Sequence, residues 1–241
     1  MMIHFKYAMN AKEDNMKKKN IQIAIDGYCG CGKSTLAQNV ATLLGFQFIP
    51  SGILYRLATL RMLELAIAPY DIQEQDLSFL NHVKFLKNKQ IQDSLGIVGI
   101  HDLKNLEAIN HNVAIYAQNP LIRNTINHYI RMSKKEYSSI IEGRDIGSVV
   151  LPDADLKYFL YGSIDYRIRC WEIGEIRRHG SFDPKERDAL YYDSIARDKE
   201  DETRELDPLV CTDDAIRIDV EQLHGQQLLE KVLEDIRNLN R

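Results

Sequence analysis

The chain has 241 residues, enough for one α/β domain of ordinary size with a small insert. Hydrophobic residues make up 44% and charged residues 27%, the balance of a soluble globular protein, and no apolar run approaches the ~18 residues of a membrane span. A formal net charge of -4 speaks against a dedicated nucleic-acid binder, although a phosphate pocket can be cationic inside an acidic protein. Residues 1–19 are polar, end in Lys17, Lys18 and Lys19, and contain no apolar core of a secretory signal; they read as a disordered N-terminal extension.

Ile21, Ile23 and Ile25 alternate with Gln22 and Ala24, which predicts a strand entering a glycine-rich stretch, residues 26–35. A helix follows on Leu36, Ala37, Val40, Ala41 and Leu44, with Gly45 as its stop. Phe46 to Ile49 read as a second strand, and Ser51 as the N-cap of a helix carrying Leu54, Leu57, Ala58 and Leu60. The pattern weakens between Pro69 and Asp102, where residues 90–92 and 96–98 look like short antiparallel strands. Helical spacing returns at Leu106, Ile109 and Val113, and Asn119-Pro120 opens a further helix through Ile130. Ser138 to Ile141 and Leu156 to Leu160 read as strands, and Ser163 caps a helix to about Arg178. A charged helix with a sparse apolar face spans Lys185 to Glu205; a last strand, Ala215 to Val220, and a last helix through Ile236 complete the chain. Alternating strands and helices imply a mostly parallel sheet covered on both faces.

The four cysteines, Cys29, Cys31, Cys170 and Cys211, have the spacing of neither a paired CxxC zinc site nor a disulfide framework. They read as free thiols of a cytoplasmic protein. Gly27-x-x-x-x-Gly32-Lys33-Ser34 fits the Walker A pattern, in the strand–loop–helix context that its chemistry requires. Gly27, Gly30 and Gly32 let successive N–H groups point at a phosphate, and Lys33 adds a charge at the β/γ-phosphates. Ser34 can ligate Mg²⁺, and Thr35 continues the helix N-terminus. This predicts an ATP-type site and leaves the reaction open, since GTPases, motor ATPases and small-molecule kinases share the loop.

Three further segments narrow the choice. Ser51-Gly52-x-x-Tyr55-Arg56 could hold an anion between a cap serine and an arginine, or be an ordinary cap with a surface arginine. Gly143-Arg144-Asp145 follows a strand, where α/β sheets place ligands. Arg197-Asp198-x-x-Asp201-x-x-Arg204 lies in a charged run of the kind that is usually a solvated face.

Taken in order, these segments, with Pro120-x-x-Arg123, Pro208-Leu209 and Asp213-Asp214-Ala215-x-x-Ile218-Asp219, resemble the cytidylate kinase family across roughly residues 21–237. The resemblance implies a three-layer P-loop α/β core of five parallel strands over 20–66, 138–180 and 207–241. It also implies a nucleoside-monophosphate-binding insert over about 67–137 and a helical lid over about 181–206. It implies ATP- and Mg²⁺-dependent phosphorylation of CMP or dCMP by a monomer. By the same resemblance Ser51, Arg56, Arg144 and Arg204 surround the acceptor phosphate, Arg123 and Asp145 read the cytosine, and Arg197 and Asp201 reach the sugar. Lys33, Arg144, Arg197 and Arg204 are the expected catalytic cations.

The chain departs from the family pattern at several points. Tyr28 stands where proline is common, Cys31 at a small-residue position, and Glu142 where the GRD turn begins with aspartate. Ala114 falls where the family has a serine near the base, and Cys170-Trp171 replaces an arginine pair after the matching Arg167. The lid is unusually acidic at Glu200 and Glu202. These changes leave open a kinase of another acceptor, such as UMP, AMP or a small metabolite, and a nucleotide-binding regulatory protein without turnover.

Overall fold

A computed structural model describes residues 20–86, 90–133 and 136–239. The chain runs β1 (Gln22–Gly27), α1 (Lys33–Leu44), β2 (Gln47–Pro50) and α2 (Ser51–Glu64), then a 3₁₀ segment, Glu74–His82. Next come β3 (Lys84–Leu86), β4 (Gln90–Asp93), β5 (Gly96–Gly99), α3 (Ile100–Asn105), α4 (Glu107–Tyr116) and α5 (Pro120–Ser133). After β6 (Ser139–Glu142) and a π turn, Ile146–Val150, the chain continues as β7 (Leu156–Tyr161), α6 (Ile164–His179), α7 (Glu186–Thr203), β8 (Ile216–Asp219) and α8 (Gly225–Leu239).

Five strands form a parallel sheet in the order β2-β6-β1-β7-β8. β1 lies at its centre and is buried along its whole length, as a strand covered on both faces must be. Because side chains alternate across a strand, Ile23 and Ile25 pack with Val40 of α1 and Val232 of α8. Ala24 faces the opposite core, with Leu54 and Leu57 of α2 and Ile126 of α5. All five parallel strands run their carboxyl ends toward the segments that carry the charged motifs, which puts those motifs on one edge of the sheet.

Local signals explain several boundaries. Gly45, in the left-handed region at φ 69°, donates its N–H to Ala41 and ends α1. Asn119 Oδ1 accepts the amides of Leu121 and Ile122 and starts α5, and Ser163 accepts from Tyr166 at the start of α6. Ser51 is different from its expected role. Pro50 occupies the cap position and Ser51 is the first helical residue, with its buried hydroxyl donating to the Glu142 carbonyl at 2.8 Å. The cause is register: Pro50 of β2 sits opposite Glu142 of β6, so the hydroxyl meets the neighbouring strand before its own helix amides.

Between α2 and α5 the two expected antiparallel strands pair as β4 and β5, joined by a third, β3. Arg61 of α2 clamps this small sheet through Asp93, with Nε at 2.8 Å and Nη2 at 3.1 Å from the two carboxylate oxygens. Residues 1–19, expected to be disordered, lie outside the described residues.

Candidate active site

The phosphate loop connects β1 to α1 at the centre of the sheet. Gly27 has φ 134°, and a Cβ there would lie 2.0 Å from the Leu160 carbonyl oxygen, so only glycine lets β1 turn beside β7. Gly32, at φ 78°, turns the chain into α1. Lys33 is buried and its Nζ donates to the Tyr28 carbonyl at 2.6 Å, curling the loop over the lysine. Burial pushes the Lys33 pKa down to about 8; Arg144 lowers it further and Glu142 opposes the shift. Ser34 donates to Glu142 Oε1 at 3.1 Å, whereas Thr35 is exposed on the first turn of α1.

The end of β6 supplies the second group. Arg144 donates through Nε to Asp201 of α7 at 2.7 Å and through Nη1 to the Gly143 carbonyl at 3.2 Å. Burial opposes its charge, but Asp201 outweighs this and the Arg144 pKa is raised. Asp145 is buried between two arginines: Arg123 Nη1 lies 3.2 Å and Arg204 Nη2 lies 3.6 Å from its carboxylate. Burial raises the Asp145 pKa, and Arg123 and Arg204 pull it back. Arg123 also lies over the Tyr55 ring at 5.5 Å and within 3.3 Å of Asp207. Its Nε is buried without a hydrogen-bond partner among the described residues.

Helix α7 roofs both groups. Asp201 bridges Arg144 and Arg204, the latter at 3.1 Å, and Arg204 also donates to the Asp207 carbonyl. One turn earlier, Asp198 pairs with Arg167 of α6 and accepts the amide of Cys29 at 2.9 Å. Arg56 turns toward the insert, donating to the Leu103 carbonyl at 3.2 Å and to Asn110. Its pKa is lowered to about 10 by burial and then by the charge of Arg197, which is exposed on α7.

Most of the residues singled out in the sequence thus meet on one edge of the sheet: Lys33, Ser34, Ser51, Arg123, Arg144, Asp145, Asp201 and Arg204. Thr35 and Arg197 are peripheral, and Arg56 faces the insert. Sequence reasoning missed Asp198, Tyr55 and Asp207, which hold Arg167, Arg123 and Arg204 in place. The first two lay inside recognised segments and carried a signal; Asp207 carried none.

A phosphate loop at the head of a parallel sheet, facing a cluster of arginines under a helical roof, defines a phosphotransferase of the P-loop α/β class. Within that class the chain belongs to the cytidylate kinase family, whose sequence profile matches residues 23–238. The cytidylate kinase of Geobacillus sp. (strain WCH70) is 31% identical over 220 residues, spanning 90% of this chain and 96% of that protein. The cytidylate kinase of Exiguobacterium sp. (strain ATCC BAA-1283 / AT1b) is 32% identical over 231 residues, spanning 91% of this chain and 99% of that protein. That of Streptococcus pneumoniae serotype 4 is 33% identical over 218 residues, spanning 89% and 96%. Among the described residues no helix is long and apolar enough to cross a membrane.

Proposed function

We propose that the protein transfers the γ-phosphoryl group of ATP to CMP or dCMP, giving ADP and CDP or dCDP. The observation that carries this reading is geometric: Ser34 of the phosphate loop donates to Glu142 Oε1 at 3.1 Å, and Glu142 opens the turn that carries Arg144. The donor loop and the turn that carries the acceptor cation are therefore neighbours, as an in-line transfer between two phosphates requires.

Each step follows from named groups. The amides of the loop from Gly27 to Thr35 cradle the donor phosphates, and Lys33 faces the β/γ oxygens. Arg144, Arg204, Ser51 and Arg56 hold the acceptor phosphate; Ser51 must turn its hydroxyl from the Glu142 carbonyl to donate there. The acceptor monophosphate oxygen is itself the nucleophile, so positioning and neutralised charge do the work and no strong base is needed. Asp145 accepts from the exocyclic amino group of cytosine, and Arg123 donates to the ring acceptors, its unpartnered Nε included. Uracil presents a carbonyl oxygen to Asp145 instead, which favours cytosine over uracil. Arg197 and Asp201 reach the sugar, and α7 excludes the water that would hydrolyse ATP.

Mg²⁺ fits this donor set. Ser34 and Glu142 place two hard oxygens 3.1 Å apart beside the loop, and Mg²⁺ in such sites takes one or two protein oxygens and completes its shell with phosphate oxygens and water. When bound it neutralises charge on the β- and γ-phosphates. The reading treats 20–66, 138–180 and 207–241 as the core, about 67–137 as the acceptor insert and about 181–206 as the lid. It takes the protein to act as a monomer in the cytoplasm, on the support of its composition and family.

Incubation with Mg²⁺·ATP and CMP should form ADP and CDP in equal amounts, followed by nucleotide chromatography. ADP formed at the same rate without any acceptor would contradict the proposal.

A further inference from the structure

Asp26 is the penultimate residue of β1, the strand that leads into the phosphate loop, directly before Gly27. Its side chain is buried and belongs to none of the motifs assigned above. The two carboxylate oxygens take separate partners in a different segment: Oδ1 accepts the amide of Ile146 at 2.9 Å and Oδ2 the amide of Gly147 at 2.7 Å. Those amides directly follow Arg144 and Asp145 and open the π turn. The turn is fitted closely to this carboxylate. A Cβ on Gly147 would lie 3.3 Å from Asp26 Oδ2 and 3.3 Å from the stem of Lys157, tighter than nine in ten natural Cβ contacts.

We propose that Asp26 is a positioning residue for the acceptor nucleotide: by clamping the Ile146 and Gly147 amides it fixes the aim of Arg144 and Asp145 relative to the phosphate loop. The inference rests on the kinase reading above and assigns to that site a residue that touches neither substrate. The chemistry explains why the residue is an aspartate. A carboxylate offers two acceptors to two N–H groups, whereas an asparagine would turn its NH₂ against one of them. A protonated carboxyl would do the same with its O–H.

The groups that face Asp26 are the Ile146 and Gly147 amides, Asp145 in the turn after β6 and Lys33 at the start of α1, with the stem of Lys157 on β7 beside Gly147. Cys211, before β8, also senses its charge. Burial is the largest influence and raises the Asp26 pKa to about 6, against the two amide bonds that lower it. A group with a raised pKa gains its proton as pH falls through that value, so the clamp loosens on the acid side of about pH 6.

The test uses the full chain and steady-state kinetics against the monophosphate that the wild type turns over best. Asp26→Asn should raise the acceptor KM about tenfold, the scale of one lost charge-assisted hydrogen bond, with the ATP KM within about twofold of wild type. The acceptor's own phosphate titrates near the same pH, so the variant serves as the control. Wild-type acceptor KM should climb more steeply below about pH 6 than that of Asp26→Asn. Gly147→Ala, which presses on the same contact with Asp26 retained, should also raise the acceptor KM selectively. Equal losses for acceptor and ATP in both variants, or no change in either, would overturn the proposal. Absence of turnover by the wild type with every monophosphate would overturn the kinase reading and this inference together, an outcome distinct from failure of Asp26 alone.

Discussion

Tyr28 of the phosphate loop donates a 2.6 Å hydrogen bond to Glu202 of α7, and this bond, with some burial, raises the Tyr28 pKa to about 12. Arg167 lies over the phenol ring at 5.3 Å, and its partner Asp198 takes the amide of the next loop residue, Cys29. Two consecutive residues of the donor loop are thus tied to one helix. A proline, the residue that the family resemblance implies at position 28, could not supply the first link.

Tyr28→Phe keeps the ring and removes only the hydroxyl, at a cost of about 1 kcal/mol or roughly fivefold in the population of lifted α7. Limited proteolysis within residues 181–206 should speed up by that factor in the absence of nucleotide. An unchanged cleavage rate would mean that the hydrogen bond does not restrain α7.

Lys33 carries the clearest pH signature. Its pKa is lowered to about 8 in the free protein, so the ammonium is lost as pH rises through that value. Phosphate binding favours the charged form, and ATP binding near pH 8 should therefore take up a proton. Calorimetry in buffers of different ionisation enthalpy should show this uptake, with ATP affinity falling above pH 8, and Lys33→Met should abolish both. Linkage also gives a sign for stability: the unfolded chain keeps this proton to 10.5, so the lysine's contribution to stability rises with pH between about 8 and 10.5.

Asp145→Asn presents an amide where cytosine offers its amino group and removes one of the two carboxylates that pair with Arg123, leaving Asp207. The CMP kcat/KM should fall by about a hundredfold, the upper scale of one lost hydrogen bond to a charged group, while the CMP-to-UMP preference narrows. Parallel kinetics with the two monophosphates measures this. A uniform loss on both would remove Asp145 from base reading.

Gly27→Ala would place its methyl against the Leu160 carbonyl in a backbone conformation that side chains avoid. Strain of this kind costs about 1–3 kcal/mol before the clash is added. The urea midpoint should drop accordingly, and nucleotide binding should weaken even where the variant is folded.

How much of this was legible depended on how local the physics is. The phosphate loop was readable because strand, glycines, lysine and helix are contiguous, and Asn119 and Ser163 because caps act within three residues. β3, with three residues, and α3, with six, are too short to show a period, and packing rather than pattern makes them. Ser51 misled because its partner, Glu142, is 91 positions away and enters through sheet register. In the charged run after Arg197 the sequence lists the carboxylates without their targets. That Asp198 meets the loop and Asp201 meets Arg144 is a property of how α7 lies across β1 and β6. Asp26 carried no signal of its own, because its partners are amides and any residue could supply them.

The most direct test is ADP release with Mg²⁺·ATP against CMP, dCMP, UMP and AMP side by side, each expressed as kcat/KM. The account predicts the highest values for CMP or dCMP, with UMP and AMP lower, which would also show that alanine at 114 is tolerated. A higher value for AMP would move the assignment of Arg123 and Asp145. Tight ATP binding without turnover of any of the four would contradict the account as a whole.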